Sequence, residues 1–242
     1  MLKKLVSRVF GPKDFSVGLI QEMLVTLCKV GFTPDVAKEI TNVKTGKAKQ
    51  IMDLFGSVSP HFRDLRRAWE KFYQRFSNLT LDFSGIRIPE CPGRGWRLLI
   101  IAQGITPEQV FQVCSKQFKT WKYTDRSLDE VVTQNERTTE TSYAIWVKDF
   151  QEADEIHKDK SADTVKEEGL LTETLTERFI HELARWNDTS NHLDIRNITL
   201  CSGSRYLDGD VPSVYWYDDR LYVCWYSPGT RYEALRPREV VS

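Results

Sequence analysis

The chain has 242 residues, of which 40% are hydrophobic and 12% aromatic, and its 34 Lys and Arg balance 34 Asp and Glu. A chain of this length can bury the core of one domain or of two modest ones. No apolar run approaches the roughly 20 residues of a membrane span, and the first residues, MLKKLVSRVFG, lack the continuous apolar stretch of a signal peptide. We therefore predict a cytoplasmic protein without a membrane span.

The charge is distributed unevenly along the chain. Residues 1–95 contain 16 Lys and Arg and 9 Asp and Glu, whereas residues 96–242 contain 18 and 25. The first part is therefore basic and the second acidic to the same degree. This asymmetry indicates either two surfaces with different partners or two halves that attract each other.

Residues 1–78 have the apolar periodicity of helices. Ser16 precedes a first helix that Gly31 ends, and Thr33 followed by Pro34 begins a short second helix ending near Asn42. A third helix is predicted after Gly46, with an apolar side formed by Ala48, Ile51, Met52 and Phe55. This order also fits a helix-turn-helix, although any small helical bundle would show it.

A fourth predicted helix begins at Ser59-Pro60 and is the most basic element of the chain. We predict nucleic-acid contact through the basic side chains of this region, which are Lys44, Lys47, Lys49, Arg63, Arg66, Arg67 and Arg75. The alternatives are a solvated face over an apolar stripe, an anionic membrane surface, and docking onto the acidic second half.

The stretch from Leu79 to Gly95 has four prolines and glycines close together, at Pro89, Pro92, Gly93 and Gly95, and is predicted to be a linker. The predicted organisation is a basic helical region at 1–78, a linker at 79–95 and an α+β domain at 96–242.

The second region alternates strands and helices. Apolar runs at Arg97–Ala102 and Tyr143–Val147 predict strands. Capping-box spacings begin helices at Thr106, at Ser127 and at Thr174, the last helix running to Trp186. This order predicts an α+β fold, with a mixed β-sheet covered by helices and ending in a β-hairpin.

The hairpin is predicted from Ser213–Tyr217 and Leu221–Tyr226, with a third strand at Asn197–Cys201 and a loop at Gly203–Asp210. Its aromatic residues outnumber what a small core easily hides, so we predict an aromatic surface of Tyr215, Tyr217, Tyr222, Trp225 and Tyr226. With Arg220, Arg231, Arg236 and Arg238 beside it, this surface could stack on a base, a sugar or the side chains of a protein partner.

Catalysis is the weaker hypothesis for this region. His192, Asp194, Cys201 and Ser204 offer a base, a carboxylate and two nucleophiles. However, Cys201 falls inside an apolar strand, and Ser204 lacks a GxSxG elbow.

A metal site is not predicted either. The five cysteines are scattered and form no CxxC pair, which favours reduced, packed thiols over disulfides or zinc. Asp208, Asp210, Asp218 and Asp219 could offer oxygen ligands to a divalent cation, but Asp is also a favoured turn residue. We predict no metal and no cofactor.

Several runs carry a resemblance: GWRLLIIAQGITPEQVF, TLTERFIHELARW, NITLCSGSR with Asp208-Gly209, and the closing Leu235-Arg236 and Arg238–Ser242. Residues 93–242 resemble a family of uncharacterised bacterial proteins from uncultured lineages with small genomes. The resemblance implies a bacterial intracellular protein with variable N-terminal attachments, and it brings no activity or site residue with it.

The sequence therefore favours a non-enzymatic binding or interaction protein, with nucleic-acid contact through the basic helices. A protein-interaction module that uses the aromatic hairpin is the alternative, and a Cys- or Ser-dependent enzyme is the third possibility.

Overall fold

The computed structural model describes residues 16–42, 46–47, 60–77 and 81–242. Contacts divide the described chain near Leu65. The residues from Arg66 to Ser242 form one compact unit, and the described residues up to Leu65 belong to another. The α+β fold class predicted from the sequence is confirmed.

Two helices of the smaller unit begin and end where the sequence predicted. Helix α1 spans Val17–Lys29, and Gly31 follows it with a φ of 94°, which glycine adopts without strain. Helix α2 spans Pro34–Thr41, and the Thr33 hydroxyl caps it by accepting a hydrogen bond from a backbone amide of the first turn. The third helix predicted after Gly46 lies outside the described residues.

Helix α3 spans Pro60–Ser77 and anchors its second half in the larger unit. Trp69, Phe72 and Tyr73 are buried there. The Tyr73 hydroxyl donates to the carbonyl of Ile100 at 2.8 Å and accepts from the amide of Ala102 at 3.2 Å. The buried Tyr73 hydroxyl thus makes two hydrogen bonds to backbone groups. These bonds fix the second half of the helix against the end of the strand that contains Ile100.

The segment predicted as a linker packs onto the larger unit. Phe83 is 1% exposed and lies edge-on to Tyr73, with ring centroids 5.7 Å apart. The carbonyl of Ile86 accepts from Arg66, and that of Pro89 accepts from the indole of Trp146. The Pro and Gly content of a segment predicts turns and linkers, but it does not predict buried aromatic contacts of this kind.

A three-stranded antiparallel sheet has the strand order β1-β4-β10. Strands β1 and β4 span Trp96–Ile101 and Tyr143–Lys148, and the short β10 spans Val240–Val241. Residues 98–102 are completely buried, which explains why β1 is continuously apolar instead of alternating.

A five-stranded mixed sheet has the order β2-β8-β7-β5-β9. Its strands are β2 (Thr120–Lys122), β5 (Ile198–Leu200), β7 (Val211–Tyr217), β8 (Arg220–Tyr226) and β9 (Leu235–Arg236). The pairs β2–β8 and β5–β9 are parallel, and the others are antiparallel. The three strands predicted near the C-terminus do share one sheet.

A two-stranded ribbon pairs β3 (Val132–Asn135) with β6 (Ser204–Tyr206). Strand β6 lies within Gly203–Asp210, which the sequence predicted to be a loop. The local sequence has turn residues on both sides, and the strand forms because its partner, about 70 residues earlier, is in place.

Helices α4 (Pro107–Gln117), α5 (Leu128–Val131), α6 (Ala162–Glu167) and α7 (Leu175–Thr189) complete the larger unit, with a 3₁₀ turn at Glu155–His157. The capping boxes predicted at Thr106 and Thr174 are both formed. Helix α7 contacts α4 and a strand from each large sheet, β1 and β7, so it lies at the centre of the unit.

The β7–β8 hairpin turns through two residues, Asp218 and Asp219, with φ of 45° and 61°. Positive φ at both central positions is the requirement of a type I′ turn, whose twist matches that of the flanking strands. Among the helices of the described residues, none is both long enough and apolar enough to cross a bilayer.

Candidate functional site

One face of the five-stranded sheet carries four aromatic side chains that we call the aromatic ladder: Trp121, Tyr215, Tyr217 and Tyr222. Tyr222 of β8 pairs with Tyr215 of β7 on one side and with Trp121 of β2 on the other. Residues paired across strands project from the same face, and Tyr217 shares it because side chains alternate along β7. The ladder therefore crosses three neighbouring strands.

The rings of the ladder contact one another in sequence. Tyr215 and Tyr222 stack nearly parallel, with centroids 5.4 Å apart, and Trp121 lies 5.3 Å from Tyr222. Tyr217 extends the row at 6.3 Å from Tyr222. Tyr217 is 67% and Trp121 42% exposed, whereas the two central rings are half-buried by their neighbours. The ladder thus presents a contiguous, solvent-facing aromatic surface.

The other two residues of the predicted aromatic surface lie apart from the ladder. Tyr226 is on the same face of β8, but it packs against Tyr232, and their hydroxyl oxygens are 2.5 Å apart. Trp225 alternates to the opposite face, together with the buried Val223, and is 47% exposed near the end of the strand. Sequence alternation separated the two faces but did not show which one faces solvent.

The charges around the ladder are balanced. At the hairpin end, four exposed side chains carry two charges of each sign: Lys119, Asp218, Asp219 and Arg220. Lys119 and Asp219 form an exposed ion pair at 3.0 Å. Arg231 is also exposed, but Arg236 and Arg238, expected beside the aromatic surface, are buried in ion pairs with Glu155 and Asp194.

A second candidate region is a buried ionic cluster around α7, which consists of Arg178, Glu182, Asp194 and Arg238. Arg178 donates to Asp194 and to Glu182, each at 2.8 Å, and Arg238 donates to the other oxygen of Asp194 at 2.5 Å. Each of the four side chains is at most 1% exposed. Burial alone would raise the pKa of Asp194, but the guanidiniums of Arg238 and Arg178 lower it below its ordinary value.

The four residues considered for catalysis are separated by their partners. Asp194 belongs to the ionic cluster, and the His192 Nδ1 lies 2.9 Å from Glu182. Cys201 is fully buried, and burial raises the pKa of its thiol well above its ordinary value. Ser204 donates to Asn135 and accepts from the amide of Leu175. The described geometry therefore forms no pair of nucleophile and base among them.

His192 lies in a box of aromatic rings. Its imidazole stacks on Trp216 with centroids 3.3 Å apart and on Trp186 at 4.5 Å, while Phe118 meets it edge-on at 4.9 Å. The box ties the start of the loop after α7 to β7. A histidine held on both faces and hydrogen-bonded to Glu182 is a structural side chain in this arrangement.

Glu173 and His181 form a fully buried pair, with Glu173 Oε1 2.7 Å from His181 Nδ1. Burial raises the pKa of Glu173 to about 8 and lowers that of His181 well below its ordinary value. Both shifts favour the neutral forms, so the pair joins His181 of α7 to Glu173, just before the helix, without an additional buried charge.

Neither protein-family models nor curated proteins nor solved structures match the chain. The resemblance of residues 93–242 to uncharacterised bacterial proteins stays a prediction.

The seven basic residues predicted to contact nucleic acid have different surroundings. Lys44 and Lys49 lie outside the described residues, as does the side chain of Arg63. Lys47 pairs with Glu39, Arg66 donates to the carbonyl of Ile86, and Arg75 donates to Asn187. Arg67 is exposed on α3, four residues before the exposed Lys71 and eight before the exposed Arg75. These three form a basic stripe on one side of the helix.

The aspartates weighed as cation ligands serve turns. Asp208 accepts from the amide of Asp210, and Asp218 and Asp219 form the hairpin turn. A different group within the described residues has metal-ligand chemistry: Asp154, His157 and Glu239 place one ligand atom each within 4.8 Å of the others. Sequence reasoning missed this group because Glu239 lies more than 80 residues after the other two.

Proposed function

We propose that this protein is a non-enzymatic binding protein that recognises a polypeptide partner through the aromatic ladder. The observation that carries the proposal is the row of contacting aromatic rings from Trp121 across Tyr222 to Tyr217, in which the rings at both ends are exposed. Tyr and Trp are enriched in protein interfaces because they bury large apolar areas at a small cost in side-chain entropy, and they retain a polar group for hydrogen bonding.

The balanced charge around the ladder supports a polypeptide over a nucleic acid as the partner. Single-stranded nucleic acids bind aromatic platforms that lie in positively charged grooves, since the phosphates must be neutralised. Around this ladder, Lys119 is paired with Asp219, and Asp218 offsets Arg220. The engagement of Cys201, Ser204 and His192 with structural neighbours supports a binding role instead of catalysis.

A peptide-display selection on the purified full chain tests the proposal. We expect selected peptides, resynthesised and measured by fluorescence polarisation, to bind at least tenfold more weakly when Trp121→Ala and Tyr217→Ala are combined. The matched control is Phe150→Ala, which removes an aromatic ring that is 59% exposed outside the ladder. Equal binding by the double variant and the wild type would refute a role for the ladder.

Nucleic-acid contact is a second candidate, favoured by the basic stripe of Arg67, Lys71 and Arg75 on α3. Phosphate contacts of this kind weaken as salt rises, because binding releases condensed counterions. Polarisation of a labelled single-stranded oligonucleotide at two salt concentrations would measure it. Replacing Arg67 and Lys71 by Gln should weaken binding and flatten its salt dependence, and an unchanged affinity would remove this candidate.

A further inference from the structure

Three side chains meet beside the end of β4, and none belongs to the aromatic ladder or to the ionic cluster. Asp154 and His157 bracket the 3₁₀ turn, and Glu239 lies between β9 and β10. Asp154 occupies the N-cap position of the turn, but its side chain makes no capping hydrogen bond. Its Oδ2 instead accepts from the backbone amide of Glu239 at 3.0 Å. The fold thus places the carboxylates of Asp154 and Glu239 and the imidazole of His157 next to one another.

Two buried atoms of this group have no hydrogen-bond partner among the described residues. They are Oδ1 of Asp154 and Nδ1 of His157, whose side chains are 1% and 4% exposed. Leaving a buried polar atom unpaired destabilises the folded state, and such atoms are rare enough in folded proteins to require an explanation. An ion bound by Asp154 would provide one for Oδ1, whereas Nδ1 of His157 lies on the other side of the ring from Nε2 and would not contact it.

The spacing of the ligand atoms suits a small divalent ion. His157 Nε2 lies 3.4 Å from Glu239 Oε2, which is long for a hydrogen bond. A tetrahedral ion with bonds of about 2.0–2.1 Å separates its ligand atoms by roughly 3.3 Å. The pair is therefore already at the spacing that coordination requires.

Lys148 occupies the position of a cation in this group. Its ammonium lies 3.0 Å from Glu239 and 3.3 Å from Asp154. One ammonium neutralises only one of the two carboxylates, whereas a divalent ion would neutralise both. The Lys148 ammonium also lies 5.6 Å from the centre of the Trp96 ring, and this ring face offers it a favourable position when it leaves the carboxylates.

We propose that Asp154, His157 and Glu239 bind a divalent transition-metal ion, in competition with the ammonium of Lys148. One imidazole with two carboxylates is a ligand set for Zn²⁺ or a similar ion, and it disfavours Ca²⁺, which takes oxygen ligands only. Three protein ligands leave a coordination position for water, as in zinc sites that are not purely structural. This site is independent of the aromatic ladder.

Calorimetric titration of the metal-free full chain with Zn²⁺ tests the proposal, with Co²⁺ spectra as the second measurement. We expect one ion per chain and four- or five-coordinate Co²⁺ bands without the near-ultraviolet band of thiolate ligation. This last point excludes Cys28, an exposed cysteine that could bind Zn²⁺ elsewhere.

Three variants decide the outcome. Glu239→Gln and His157→Gln should each weaken Zn²⁺ binding at least tenfold, and Lys148→Gln should strengthen it at least tenfold. Lys160→Gln, which removes a lysine from another ion pair, should change nothing. The proposal is overturned if the wild type binds no stoichiometric ion, if Glu239→Gln and His157→Gln bind as the wild type does, or if Lys148→Gln weakens binding. Circular dichroism of each variant separates loss of the site from loss of the fold.

Discussion

Asp194 connects the two arginines of the buried ionic cluster, because Arg178 and Arg238 each donate to a different one of its oxygens. We predict that Asp194→Asn lowers the free energy of unfolding by about 3–5 kcal/mol, since two guanidiniums would be left buried with one carboxylate. Urea unfolding measures the change. Asp219→Asn, in the exposed pair with Lys119, should alter stability by about 0.5 kcal/mol or less. Similar losses in both variants would contradict the importance of burial.

Glu173 makes the stability of the protein dependent on pH. Burial raises its pKa from 4.5 to about 8, so the folded state retains a proton that the unfolded state releases within this window. Stability therefore decreases as the pH rises towards 8. His181 has a lowered pKa and an opposite slope, but only below its ordinary value of 6.5. The pH dependence of the unfolding free energy between about pH 7 and 8 therefore arises from Glu173.

We predict that Glu173→Gln flattens the dependence of unfolding free energy on pH between about 7 and 8, because the amide does not titrate. Denaturant titrations at several pH values measure it. Glu168→Gln, at an exposed position near the surface of the same unit, should retain the wild-type slope. A wild-type slope in Glu173→Gln would show that another group is responsible.

The sequence allowed some of these residues to be placed and not others. The apolar periodicity of α7 predicts one inward side, and Leu175, Phe179, Ile180 and Leu183 on that side are buried. Its polar side chains Glu177, Arg178, His181 and Glu182 are buried as well, because strands of both large sheets contact this helix. Periodicity predicts one buried side, and it contains no information about partners that come from distant parts of the chain.

The β7–β8 turn is the element whose conformation places the ladder residues opposite one another. Asp218 and Asp219 adopt positive φ there, which costs about 1 kcal/mol or more for a residue with a Cβ. We predict that Asp219→Gly raises the melting temperature by a few degrees, because Asp-Gly is a preferred pair for this turn. Asp219→Val should lower it, since a β-branched side chain opposes positive φ. Thermal unfolding followed by circular dichroism would distinguish the two, and a shift of the same sign in both would contradict this account.

Elements with strong local signals were predicted from the sequence. The capping boxes at Thr106 and Thr174 and the start of α3 at Pro60 all depend on residues within one helical turn. The short strands β6, β9 and β10 were not predicted, because two or three residues carry no periodicity and form strands only beside partners far away in sequence.

The larger unit begins earlier in the chain than the predicted boundary at residue 96, since Trp69, Phe72 and Tyr73 are buried in it. We predict that residues 60–242 unfold cooperatively near the melting temperature of the full chain, whereas residues 81–242 melt well below it. Removing three large side chains that each contribute about 1.5–3 kcal/mol on burial would expose Phe83 and its surroundings. Differential scanning calorimetry of the two fragments measures this. Equal melting temperatures would support the boundary predicted at residue 96.

The last two strands complete different sheets, and this arrangement has a consequence for biosynthesis. Strand β9 adds to the five-stranded sheet, β10 adds to the three-stranded sheet, and Arg238 between them reaches the ionic cluster. A nascent chain emerges from the ribosome N-terminus first. The ion pair between Asp194 and Arg238 therefore forms only after residue 238 has left the exit tunnel. The larger unit can complete its folding only after β9 and β10 have emerged, and a chain stalled or ended before them would display open sheet edges for chaperones and proteases to recognise.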